Sequence, residues 1–207
     1  MPLIKRREDA ETQTGVWRMT ESLAELEGRY AVGADEMPTY AAFRNDRRRK
    51  EWLTVRILLS EMAGAGVGIA YLPSGKPYLI GSDLFISITH TIGYVGIRLG
   101  RRPVALDMEY RSERVLKLIP RFVSEAEMRF IAPDNKETTA LIIWSAKETL
   151  YKLFDRSDLL FDEHLSVDNL VVDGEAGDFV GRVRTDALRA EVGLHYRLID
   201  DLIIVYC

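Results

Sequence analysis

Two stretches of this chain are long and periodic enough for long helices, and short strand-like runs surround each of them. The first, FRNDRRRKEWLTVRILLSEM, sets Trp52, Val55, Leu59 and Met62 at i, i+3, i+7 and i+10, an apolar stripe with basic residues elsewhere. GAGVG follows and stops it, because glycine is favoured just past a helix end. The second is NKETTALIIWSAKETLYKLF. Helices interleaved with short strands point to the α+β class.

The strand runs fill in that plan. GIAYLPSGKPYLIG reads as two short strands around a Pro-Ser-Gly turn. LFISITH alternates Leu84, Ile86 and Ile88 against Phe85, Ser87 and Thr89. GYVGIRL and PVALDMEY follow on short links, which predicts an antiparallel meander of three strands. Capping-box spacing at Ser22/Glu25 predicts a short helix over LAELEGR. The same spacing at Ser124/Glu127 predicts another over RFVSEAEMRFIAP, ended by Pro133. From Leu159 onward NLVVD, FVGRVR, HYRLID and LIIVYC read as strands. The first twenty residues are polar and mixed in charge, and are expected to form an arm rather than core. Division near residues 100–103 gives halves 1–102 and 103–207, each with one long helix and a small antiparallel sheet. No sequence repeat relates the halves, so a twofold relation between them would be structural.

Charge and cysteine usage narrow the partners. Twenty-eight Lys+Arg against 32 Asp+Glu leave a net charge of −4, which argues against a protein held by nucleic-acid phosphates. The single cysteine, Cys207, excludes a disulfide scaffold, a Cys-rich zinc site and a paired-thiol redox motif. The opening MPLIKRREDAETQ has no apolar signal core, and no run approaches the ~18 apolar residues of a membrane span. The expectation is a soluble cytoplasmic protein with neither nucleic acid nor membrane as partner.

In PVALDMEY, strand alternation sends Val104, Leu106 and Met108 to one face and Ala105, Asp107 and Glu109 to the other. Two carboxylates at i, i+2 repel unless a cation lies between them, and Mg²⁺ takes such oxygens together with substrate phosphates. The plainer alternative is a solvated strand face. On WSAKETLYK, Trp144, Glu148 and Lys152 are spaced i, i+4 and i+8, and so drift by only about 80° around the helix. Glu148 and Lys152 alone would make an ordinary exposed ion pair. Trp144 shares their side, and tryptophan is usually largely buried, which suggests a lined cleft. Glu148 could then complete a three-carboxylate magnesium site with Asp107 and Glu109, and Lys152 neutralise a phosphate beside the metal as a point charge.

Further anion contacts are available elsewhere. Ser87, Thr89 and His90 end one strand, and Lys76 in GKPY would sit at a rim. Arg47, Arg48, Arg49 and Lys50 open a helix, with Arg56 two turns on. A basic run is most often a solvated face and a lone histidine most often structural. Cations at a helix start nevertheless oppose its dipole, which fits a surface meant to meet an anion.

These segments together resemble the 4′-phosphopantetheinyl transferase superfamily, in its longer single-chain type that activates carrier proteins. VALDMEY matches the family's G-x-D-x-E strand and WSAKETLYK its W-x-x-K-E-x-x-x-K helix. ITHT corresponds to an S-H-S segment and RFVSEAE to R-F-F-x-x-x-E, while EWLTVRILL and GKPYL resemble N-terminal pieces. The resemblance spans residues 48–153, and the two acidic motifs in this order carry its specificity. Ala105 stands where the family has glycine, and Thr89 and Thr91 where it has serines.

The resemblance implies an enzyme, a holo-carrier-protein synthase that moves the phosphopantetheine arm of coenzyme A to a serine of an apo acyl or peptidyl carrier protein. Adenosine 3′,5′-bisphosphate is released. Asp107, Glu109 and Glu148 would hold Mg²⁺ against the pyrophosphate, and Glu148 would accept the serine proton, directly or through water. Lys152 would bind phosphate, and Lys147 is left a structural role. Lys76, Thr89, His90 and a helix arginine, Arg49 or Arg56, would hold the 3′-phosphate and ribose. The implied fold is a pseudo-twofold pair of α+β halves with coenzyme A between them, working as a monomer. Two other readings of the same residues are a magnesium phosphodiesterase and a non-catalytic homologue that grips a carrier protein or coenzyme A.

Overall fold

The computed structural model describes residues 3–8, by backbone alone, and residues 11–207. The chain forms two compact units that divide between Pro103 and Val104. Both are mixed α+β, with antiparallel sheets and a few helices. Among the described residues no helix is long and apolar enough to cross a membrane.

The first unit begins with β1 (Leu3–Glu8), β2 (Thr12–Arg18), α1 (Leu23–Arg29) and α2 (Met37–Ala42). The long helix α3 (Asp46–Ala63) follows, then the hairpin of β3 (Gly68–Tyr71) and β4 (Pro77–Ile80), then β5 (Phe85–Thr91) and β6 (Tyr94–Gly100). The main sheet has the order β1-β2-β6-β5, antiparallel throughout. Helix α3 is capped by the Asn45 side chain and ends at Gly64, whose φ of 88° only glycine takes easily. It packs on β2 and β6, with Leu53, Leu58 and Leu59 fully buried against Trp17, Val95, Ile97 and Leu99.

The second unit contains β7 (Leu106–Tyr110), four short 3-10 turns, α4 (Lys136–Phe154), β8 (Leu165–Asp168), β9 (Ala176–Arg184), β10 (Arg189–Ile199) and β11 (Leu202–Tyr206). Its sheet has the order β7-β11-β10-β9-β8 and is antiparallel. Helix α4 buries Ala140, Ile142, Ile143, Ala146 and Leu150, all at or near 0% exposure, on one face of that sheet. Each buried leucine-sized side chain contributes about 1.5–3 kcal/mol. Gly181 makes room on that face: a Cβ there would lie 2.6 Å from a Leu194 methyl and 3.0 Å from Leu150, so those side chains would have to shift.

Several sequence expectations change. The opening twenty residues are not an arm where they are described: β2 is a paired interior strand, with Val16 and Trp17 buried. Polar residues along it disguised a strand whose apolar part is short; positions 1–2 and 9–10 of that stretch lie outside the described residues. The three-strand meander is a hairpin only. β5 pairs with β6, but β6 turns to β2 for its other edge, and β7 joins the second unit's sheet beside β11. RFVSEAEMRFIAP folds into 3-10 turns rather than one helix. Its capping-box contacts do form, Ser124 N to Glu127 at 2.8 Å and Glu127 N to Ser124 Oγ at 3.3 Å, but the Glu127 side chain is also drawn into the core. NLVVD is not a strand; the strand lies just before it, at β8. Helix α2 carried no periodic signal of its own.

Candidate active site

The second unit gathers the acidic motif residues at one place. The β7–β11 register sets Asp107 opposite Val205 and Glu109 opposite Ile203, so all four share the face that α4 covers. The i, i+4, i+8 row on α4 points back at the two acids. Trp144 Nε1 donates to Glu109 Oε1 at 2.9 Å. Lys152 Nζ donates to Asp107 Oδ1 at 2.8 Å and to the Leu106 carbonyl at 3.1 Å. Asp107 is buried, while Glu109, Glu148 and Lys152 are half-buried.

Electrostatics tie Glu148 to the same cluster. Burial, then the charge of Asp107, pushes the Glu109 carboxyl up to about 7, with a smaller push from Glu148; the Trp144 hydrogen bond and Lys152 oppose the rise. Glu148 is raised by burial and by Asp107, and Lys152 opposes this. Three mutually repelling carboxylates with one ammonium among them form an oxygen-donor set short of positive charge. That chemistry suits a hard divalent cation. The set is not preformed: among the described residues no group of three or more His, Cys, Asp or Glu side chains is arranged to hold a metal ion. Trp144 and Lys152 meanwhile each hold one oxygen of a strand acid.

Lys147, next to Glu148 in sequence, lies elsewhere. It is fully buried, and its ammonium donates to the carbonyls of Phe122 (2.6 Å) and Phe161 (2.8 Å) and to Glu127 Oε2 (2.9 Å). A lysine has three N–H donors, and all are used. Burial lowers its pKa; the Glu127 charge opposes that.

In the first unit, Arg48, Arg56 and His90 line one cavity of about 210 Å³ with Glu51, Trp52 and Tyr71. Arg48 Nη1 lies 2.8 Å from His90 Nε2 and 2.6 Å from Glu51 Oε2. An arginine can only donate, so His90 Nε2 accepts and its ring proton sits on Nδ1. Glu51 is buried and also accepts from Arg47 Nε at 2.8 Å. Burial pushes its carboxyl up, but Arg47, His90 and Arg48 together hold it below the usual range. Arg56 is buried, bonded to Glu36 at 2.6 Å, and its guanidinium carbon lies 3.2 Å from the Trp52 ring centroid. Lys76 does not line the cavity, although its neighbours Gly75 and Pro77 do. Thr89, buried on β5, and Arg49, over the Tyr40 ring at 5.8 Å, also lie outside the lining. Glu51 and Tyr71 were not singled out from the sequence, and Trp52 only as part of the apolar stripe of the long helix. Glu51 was legible only as the acid directly after the basic run.

Comparison with known proteins bears on the second unit. Residues 103–207 match the family model described as the 4′-phosphopantetheinyl transferase superfamily. No curated protein matches the chain.

Proposed function

The chain belongs to the 4′-phosphopantetheinyl transferase superfamily, and we propose that it transfers the 4′-phosphopantetheine arm of coenzyme A to a serine of an apo carrier protein. The observation that carries this is the convergence of Asp107 and Glu109 from β7 with Glu148 and Lys152 from α4, in the family's own motif positions. Asp107, Glu109 and Glu148 would hold Mg²⁺. Bound there, the ion would offset negative charge on the oxygens of the phosphoryl group under attack and on the leaving bisphosphate.

The chain's own residues do the rest. Glu148, brought to the cluster by α4, accepts the serine proton, directly or through one water. The serine oxygen forms a new bond to phosphorus as the bond to adenosine 3′,5′-bisphosphate breaks. Lys152 serves two partners in turn: it neutralises Asp107 in the resting protein and turns to the pyrophosphate when coenzyme A arrives. Trp144 holds Glu109 by one oxygen and leaves the other for a ligand. The basic residues of the first unit, His90 with Arg48 foremost, supply contacts to the 3′-phosphate, and Lys76, Thr89, Arg49 and Arg56 are assigned to the coenzyme's ribose and phosphates. The two units share a plan, one long helix on an antiparallel sheet, which supports treating them as related halves. A cytoplasmic monomer is the working form expected from composition and resemblance.

The test is incubation with coenzyme A, Mg²⁺ and an apo acyl or peptidyl carrier protein, followed by the intact mass of the carrier. A gain of one phosphopantetheine is the expected result. Carrier binding without a mass gain would instead make this a non-catalytic homologue, and phosphodiester cleavage without transfer a hydrolase.

A further inference from the structure

Lys147 has no place among the phosphate contacts, yet its three bonds converge on the residues around Trp144. The Phe122 ring meets the Trp144 indole edge-on, centroids 5.2 Å apart and planes at 73°. The Phe161 ring lies against the indole with centroids 5.5 Å apart and planes at 34°. Phe122 and Phe161 come from separate loops, one before α4 and one after it. What joins those loops is the Lys147 ammonium, bonded to both backbone carbonyls. Glu127 completes the knot: its Oε2 accepts from Lys147 and from Ser124 N, and its Oε1 accepts from Val167 N of β8 at 2.9 Å. Lys147 is wholly buried and Glu127 nearly so.

We propose that Lys147 is a positioning residue: its ammonium fixes the Phe122 and Phe161 backbones so that their rings clamp the Trp144 indole, whose N–H then holds the Glu109 carboxylate in place. A buried lysine costs desolvation free energy that a methionine of similar length would not. Its retention in a core of Phe122, Ile143, Ala146 and Leu150 is explained by the three acceptors it satisfies. Aromatic pairs of this kind attract beyond the area they bury and favour one indole orientation, but only while the loops stay put. The consequence for metal binding rests on the function proposed above. The clamp itself does not.

The experiment reads the indole N–H proton resonances of the three tryptophans in the metal-free protein. The Trp144 signal is assigned by its loss in Trp144→Phe, and Trp17 and Trp52, in the other unit, serve as internal controls. In Lys147→Met the Trp144 signal is expected to shift and to exchange with solvent at least tenfold faster, while the other two stay fixed. Phe161→Leu, which keeps every Lys147 bond, should give the same shift in smaller degree. Lys147→Met strands the Glu127 carboxylate; if that variant does not fold, Glu127→Gln/Lys147→Met, which leaves no orphan charge, carries the measurement. Mg²⁺ affinity, followed by the same resonance, should fall by about tenfold or more, the usual cost of losing a group that orients a ligand. An unmoved Trp144 signal in a folded Lys147 variant overturns the clamp. Should the signal move in the variants while Mg²⁺ perturbs no indole even in the unaltered protein, the clamp stands and the magnesium assignment fails.

Discussion

Lys152 Nζ lies 2.8 Å from Asp107 Oδ1, and the same ammonium reaches the carbonyl of Leu106 at 3.1 Å. The last turn of α4 is thereby bonded to the first residues of β7, and the one cation of the cluster is held by the strand. The pair is partly exposed on the lysine side, 28% against 7% for the aspartate, so solvent reaches the ammonium. Such a cation can exchange a carboxylate for a phosphate without crossing a dry barrier.

Removing that cation should therefore expose the repulsion among the acids. Lys152→Met is expected to lower the melting temperature of the metal-free protein by about 2–4 °C, the shift that roughly 1 kcal/mol produces in a chain of this size. Mg²⁺ should then raise the melting temperature more in the variant than in the unaltered protein, because it supplies the missing charge. Calorimetry with and without Mg²⁺ checks this; an equal rise in both proteins would separate Lys152 from the metal site.

Asp107→Ala removes the acid that both raises its neighbours and anchors Lys152. Transfer should fall by at least about a hundredfold, since the loss of even an outer-shell partner costs about 10–100-fold. Stability should change little, since relief of repulsion toward Glu109 and Glu148 offsets the lost ion pair. Carrier mass and a thermal melt give both answers. Near-normal turnover at saturating Mg²⁺ would remove Asp107 from the metal site.

The Glu109 carboxyl, raised from 4.5 to about 7, gives a pH dependence of definite sign. Across that window the folded metal-free protein keeps a proton that the unfolded chain has released. Its contribution to stability is full below the lower value and is lost as pH rises through the upper one. The melting temperature should decline over that range by the equivalent of about 1–3 kcal/mol, the lower end applying because the side chain is part exposed. Glu109→Gln still accepts from Trp144 but cannot titrate, and should flatten the decline. An identical slope in that variant would assign the titration to another group.

How much of this site the sequence disclosed depends on the kind of contact. Alternation along PVALDMEY and the helical row from Trp144 to Lys152 made the proximity of Asp107, Glu109, Glu148 and Lys152 legible, because both periods are fixed by backbone geometry. Neighbours across the sheet were not legible. That β7 would leave the β5–β6 hairpin and pair with β11 depends on which strand edge is open, and no local pattern encodes it. The role of Lys147 was hidden for a similar reason, since its acceptors are two backbone carbonyls and a glutamate twenty positions away. In the first unit, the run from Arg47 to Lys50 was visible as charge. Its organiser, the buried Glu51, looked like any other acid on a helix.

His90 gives a prediction that separates binding from chemistry. If it contacts the 3′-phosphate, His90→Ala should raise KM for coenzyme A by about tenfold or more and leave kcat within a few-fold. Dephospho-coenzyme A, which lacks that phosphate, should serve both proteins about equally. Arg48→Ala should reproduce the effect in part, since Arg48 fixes the ring through Nε2 at 2.8 Å. A defect of the same size with both substrates would move His90 out of the phosphate site.

Glu148 is asked to do two jobs, holding the ion and accepting the serine proton, whereas Asp107 is asked only to hold. Glu148→Gln keeps the size and one carbonyl oxygen but loses charge and basicity. It also removes a source of the upward push on Glu109, so the variant's metal-free fold should be as stable as the original or slightly more so. Coenzyme A should still bind, because Lys152 and the first unit's basic residues are untouched. Turnover should nevertheless drop by the ~10²-fold or more that a missing general base costs. Excess Mg²⁺ should not restore it, since occupancy is not the main defect, while raising the pH should help in part by supplying hydroxide to the same proton. The measurement is kcat at saturating coenzyme A across a Mg²⁺ series at two pH values. Full recovery at high Mg²⁺ would make Glu148 a ligand alone and hand the proton to water.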